Sequence, residues 1–239
     1  MLRRIAIAAL ACAPAGCLLD WDSLRPPDGG ADDSGTELGA PGTSRPDAAP
    51  DANDAGDAQT GALALTINEV QTDGPQGPSD EFVEIRNGAP CGGSLSGWGL
   101  RYSSASGSAP SQLWTGQAGD TIGPKGSAGY ALLGGFAFQT PDGGTVIGRI
   151  STDLNGALSK NGGGVGLFSP GGTLVDGVAY ETLTTQTHPF IQPSNAGSAG
   201  GAPNPPSGKS IARTPDGLDT STNASDFQIA TTPTPGFAN

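Results

Sequence analysis

The chain is poor in the side chains that carry most protein chemistry. Its 239 residues include one histidine, His188, and three cysteines, Cys12, Cys17 and Cys91. A zinc site built on His and Cys needs several such ligands, and one histidine with one distant cysteine, Cys91, outside the N-terminal segment cannot supply them; no cofactor is expected. A Ser-His-Asp set would have to pass through His188, and no Gly-x-Ser-x-Gly elbow opens a helix. His188 precedes Pro189 in a polar stretch and is expected to be an exposed loop residue. Lys and Arg together number 11 against 23 Asp and Glu, a net charge of −12. Binding nucleic acid through its phosphates requires a basic patch, so nucleic acid is not an expected partner. Long apolar runs are missing too. The run from Ile5 to Ala15 is eleven residues with Pro14 inside it, whereas crossing a bilayer as a helix takes roughly 20.

That short run has a different use. Arg3-Arg4, the apolar segment and Ala15-Gly16-Cys17 form a secretory signal peptide, residues 1–16, ending in a lipobox. Cys17 then becomes the lipidated first residue of the mature chain, and the membrane becomes a partner through it. Pro14 departs from the aliphatic residue usual at its position, and plain secretion is the alternative. Leu18 rather than Asp follows Cys17, which favours the outer membrane or cell surface over inner-membrane retention. With Cys12 removed and Cys17 acylated, Cys91 is left without an intrachain partner.

Residues 17–61 are almost entirely Asp, Ala, Gly, Pro, Ser and Thr, with ten acidic residues against Arg25 and Arg45. Such a segment cannot bury enough apolar area to offset its ordering entropy, so it is expected to be a disordered acidic tether. A flexible coil of that length spans roughly 35 Å end to end. The Asp47–Asp57 string has neither the ligand spacing nor the glutamate of a calcium loop, and reads as solvated spacer.

Residues 62–239 are long enough for one domain, and their apolar residues fall in short clusters between Gly, Pro, Asn and Asp, which predicts an all-β fold. Leu63, Leu65 and Ile67 alternate onto one face. Within Glu81–Arg86, Val83 and Ile85 take one side with Glu81, while Phe82, Glu84 and Arg86 take the other. Gly129–Leu133 and Gly164–Phe168 read as buried strands. Ser169-Pro170-Gly171-Gly172 turns the latter into Leu174–Tyr180, with a bulge expected at Asp176-Gly177.

In this order the strings resemble the lamin-tail domain, an immunoglobulin-like β-sandwich. They are Ile67–Val70, Ser79–Asn87, Leu95–Leu100, Ile122–Gly126 with Tyr130–Leu132, Leu158–Phe168, Leu174–Tyr180, Ser210–Arg213 and Thr234–Asn239. The resemblance implies that Trp98 fills the space between two sheets, with Phe82, Leu100, Tyr130, Leu132, Leu167 and Tyr180 around it. Ser103–Gly119 and His188–Gly208 look like surface insertions. It also implies a non-catalytic binding or interaction module, displayed from the membrane to a protein or glycan partner. The alternative is a structural or adhesive envelope protein that self-associates or binds surface glycan, with Trp114 as contact if it is not a second core residue. Asp80, Glu81 and Glu84 are the one carboxylate cluster. They are expected to cap loop amides or pair with Arg86; a divalent-ion site near Asp80 and Glu81, or a metal-dependent hydrolase using Glu81 and Glu84, are the weaker readings.

Overall fold

The computed structural model describes residues 62–140, 145–180, 188–192 and 201–239. The signal peptide, Cys17 and the acidic tether lie outside the described residues. Twelve strands follow in chain order: β1 (Leu65–Gln71), β2 (Phe82–Asn87), β3 (Gly93–Ser94), β4 (Gly99–Ser104), β5 (Ser111–Thr115), β6 (Thr121–Ile122), β7 (Tyr130–Gly134), β8 (Val146–Arg149), β9 (Gly163–Phe168), β10 (Leu174–Tyr180), β11 (Ser210–Arg213) and β12 (Phe227–Ala230). One helical turn, α1 (Asn223–Asp226), precedes the last. The domain is all-β, as its residue pattern predicts.

Six strands form one sheet in the order β12-β11-β1-β2-β7-β8, and four form a second in the order β10-β9-β4-β5; β3 and β6 make a small ribbon. Period-two alternation decides what each face buries. Ile67, Val83, Ile85, Leu133 and Ile211 of the first sheet share one apolar cluster with Leu100, Trp114, Val165, Leu167 and Val178 of the second. The β9–β10 hairpin forms as expected, closed by Ser169 N–H donating to Thr173 O at 2.9 Å. Its register shifts between Leu174 and Asp176, beside the predicted bulge.

Several side chains sit elsewhere than predicted. Trp98 precedes β4 and is only half-buried at the margin of the cluster, while Trp114 is buried within it. The reason is β5: within Ser103–Gly119, read as a surface insertion, Ser111–Thr115 pairs with β4 as a strand and sets Trp114 opposite Leu100. Phe82 and Leu132 are buried on the outer face of the six-stranded sheet, in a separate cluster with Phe138. Tyr130 is half-buried on that same side and bonds Asp216 through its hydroxyl at 3.0 Å. Leu100, Leu167 and Tyr180 occupy the main core as predicted.

His188 lies in a loop as expected but is buried, at 4% exposure, contrary to its reading as an exposed residue. The His188 and Phe190 rings pack against Gly164 and Gly166 of β9, where no side chain intervenes. A Cβ on Gly164 would stand 2.6 Å from the His188 ring, and one on Gly166 2.4 Å from that of Phe190. Cys91 is disulfide-bonded, which corrects the expectation of a lone thiol.

Candidate functional site

The carboxylates singled out from sequence are all buried: Asp80, Glu81 and Glu84 join Glu69, Asp73 and Asp176. A buried carboxylate is costly unless hydrogen-bonded, so its partners reveal its role. Glu81 stands at the entry to β2 and accepts the Ala157 and Leu158 amides at 2.6 and 2.8 Å, holding the loop that delivers Leu158 to the core. Asp80 accepts the Gln76 amide at 3.0 Å within its own turn. Arg86 pairs with Asp216 at 2.6 Å rather than with a neighbouring glutamate.

Glu84 looks the other way. Three positions separate it from Glu81, an odd number on an extended chain, so the two carboxylates serve opposite sides of the sheet and form no catalytic pair. Glu84 lies directly across from Glu69 on β1. Burial is the largest influence on both and raises them above the ordinary carboxylate range; Glu84, with Glu69 and Asp216 nearby, reaches about 8. Together they seat the C-terminal segment. Glu69 accepts the Thr234 amide at 3.1 and 3.2 Å and the Ser210 hydroxyl, while Glu84 accepts the Gly236 amide at 2.6 Å and Asn68 Nδ2 at 2.8 Å. Asn239 Nδ2 completes the seat by donating to Asn68 O and Arg213 O, each at 3.4 Å.

A second polar centre lies between the sheets. Arg213 is fully buried and donates through Nη2 to both oxygens of Asp176, through Nη1 to Asp226 and Leu218 O, and through Nε to Ile67 O. Its guanidinium also lies 4.6 Å from the Phe227 ring centroid. Burial pushes the Asp176 carboxyl up and the adjacent guanidinium pulls it back. Sequence reading placed Arg213 on a strand but gave it no role, because its acidic partners are 37 and 13 residues away. Asn223 was missed as well. Its side chain acts as a surrogate strand along β10, donating to Gly177 O at 2.8 Å and accepting the Ala179 amide at 3.2 Å.

Among the described residues no three His, Cys, Asp or Glu side chains are grouped to hold a metal ion. Nor is any described helix long and apolar enough to cross a membrane. Concave surface is present instead. The larger depression, about 720 Å³, lies beside the seated C-terminal segment and is lined in part by Asp120, Thr121, Tyr130, Val146 and Phe237. A smaller one of about 340 Å³ is lined by Phe82, Phe138, Pro233 and Pro235, among others. No protein-family model matches the chain, and no curated protein matches it either.

Proposed function

We propose that this chain is a lipid-anchored cell-envelope protein that displays a lamin-tail-like, immunoglobulin-like β-sandwich as a non-catalytic binding module. One observation carries the reading of the domain. Its buried carboxylates are spent on structure: Glu81 on a loop, Glu69 and Glu84 on the C-terminal segment, Asp176 on Arg213. Groups that would have to exchange protons with a substrate are part of the frame. The lamin-tail reading is supported by where its strings fall. Ile67–Val70, Phe82–Asn87, Tyr130–Leu132, Val165–Phe168, Leu174–Tyr180 and Ser210–Arg213 lie within β1, β2, β7, β9, β10 and β11, and Thr234–Asn239 is bonded across the first sheet.

Anchoring rests on the lipobox at Cys17 and is tested by metabolic labelling with an alkyne fatty acid in a bacterial host. The expected result is label in the envelope fraction, with Cys17→Ser giving an unlabelled protein released from membranes. An unlabelled wild-type chain would sink the anchor. Intact mass of the mature protein adds a second check, because acylation of Cys17 adds a defined increment.

An adhesive role is the second reading. Its contact surface is not Trp114, which is buried. The groove beside Phe237 is the surface that favours it.

A further inference from the structure

The groove of about 720 Å³ lies within the range of roughly 300–1,000 Å³ typical of small-molecule sites. Its setting follows from the seat of the C-terminal segment. The Gly236 amide is fixed on Glu84 at 2.6 Å, and the Phe237 amide donates to Thr234 O at 2.9 Å. These bonds place the backbone of residue 237 at the groove wall, and Phe237 as a residue remains 51% exposed. Tyr130 and Leu132 contribute from β7, and Val146 and Ile147 from β8.

Charge and polarity narrow what such a groove accepts. Among the described residues no Lys, Arg or His lines it. Asp120 is the charged residue in the described lining, since burial holds the Glu84 carboxyl protonated and Asp216 is paired with Arg86, so the local charge disfavours an anion. A wholly apolar ligand would leave the Thr121, Ser127 and Thr145 hydroxyls without partners. Asp120 is already engaged by the Gln117 amide at 2.7 Å, which favours a ligand hydroxyl as its second partner over a full counter-charge. What fits is an uncharged, hydroxyl-rich ligand with one apolar face. A sugar ring has this form: its C–H face packs on an aromatic ring and its hydroxyls bond to the polar wall.

We propose that the groove bounded by Phe237, Asp120 and Thr121 binds a neutral oligosaccharide. This rests on the display function above and supplies its ligand class. The C-terminal segment is then a wall of the site, and Phe237 is the platform on which the sugar stacks.

The test uses the full chain and calorimetric titration with neutral hexasaccharides derived from glucan, mannan, galactan and chitin. Hexamers of polygalacturonate and of chitosan serve as anionic and cationic controls. We expect at least one neutral hexamer to bind, with Phe237→Ala weakening it about tenfold or more at unchanged Tm. Asp120→Asn should weaken it by a smaller factor. Absence of binding by all four neutral hexamers overturns the proposal. So does binding indifferent to Phe237→Ala, or a preference for either charged control. Lipid labelling of the same preparations separates the two readings. Labelled, envelope-bound protein that ignores neutral sugars defeats the saccharide site alone, whereas sugar binding by an unlabelled chain defeats the anchor alone.

Discussion

Arg213 Nη2 lies 3.0 and 2.9 Å from the two carboxylate oxygens of Asp176, joining β11 of one sheet to β10 of the other with both side chains buried. The same Asp176 accepts the Ile67 amide at 2.7 Å, at the edge of the irregularity in β1. Two sheets are therefore cross-tied by a buried charge pair at the β10–β11 side of the core. Removing one partner from a buried pair typically costs about 3–5 kcal/mol, because the other charge stays buried without compensation. Arg213→Met should lower stability by that amount in urea titration. A loss below about 1 kcal/mol would show that Asp176 and Asp226 do not depend on it.

Trp114, not Trp98, is the tryptophan whose loss should be felt. Truncating a buried aromatic costs about 3–5 kcal/mol. Trp114→Ala should therefore destabilise strongly and Trp98→Ala, at the half-buried margin, distinctly less. Thermal melts of the two variants side by side would show a reversed order if the assignment is wrong.

The Glu69–Glu84 pair makes the domain sensitive to alkali. The Glu84 carboxyl titrates near 8 when folded and near 4.5 when free. More protons are thus bound by the native state between these values, and stability falls as pH rises through that window, by up to about 1.4 kcal/mol per pH unit. Glu69, also raised, adds in the same direction. Glu84→Gln keeps an acceptor for the Gly236 amide without the charge, and should flatten the slope between pH 5 and 8. An unaltered pH profile of urea midpoints would contradict this.

His188 opposes that trend at low pH. Its Nδ1 accepts the Phe190 amide at 3.2 Å, which leaves the proton on Nε2, 3.4 Å from Ser103 O. Burial lowers its proton affinity. The neutral ring contributes stability that is complete above the usual histidine range and is lost as pH falls through the depressed folded value. Protection factors of the Phe190 and Ile191 amides, corrected for the intrinsic exchange rate, should fall on acidification, and His188→Gln should remove most of that dependence.

Glu81 is expected to matter through a loop far away in sequence. Glu81→Ala leaves the Ala157 and Leu158 amides without acceptors, at about 1–3 kcal/mol. Limited proteolysis should cut within residues 151–158 faster than in the wild type. Equal cutting rates would mean that the loop is held by its apolar contacts instead.

Local patterns carried much of the fold. The alternation of Leu63, Leu65 and Ile67, the Val83–Ile85 face and the Ser169–Gly172 turn are each written within a few residues, and each was readable. What escaped depends on distant pairing. Ser111–Thr115 is a polar, short strand whose apolar face is little more than Leu113 and Trp114, so nothing nearby announces that it joins a sheet and carries the core tryptophan. His188 and Phe190 owe their burial to side-chain space left open at Gly164 and Gly166, more than twenty residues earlier. The carboxylates were visible as residue types, but the backbone amides that Glu69, Glu81 and Glu84 accept stand 76 to 165 residues further along the chain, and only folding brings them together.

β1, the first strand of the domain, lies between β2 and β11 in the six-stranded sheet. Ile67 O is closed by an arginine 146 positions later, and that arginine is itself satisfied only after Asp226 has been added. An amino-terminal fragment therefore has neither its central strand paired on both sides nor its buried charges neutralised. Pairing over such separations is also slow to form. A partly made chain should stay extended and pliable until its last dozen or so residues exist, a useful property for any polypeptide that has to be threaded through a narrow channel before it folds.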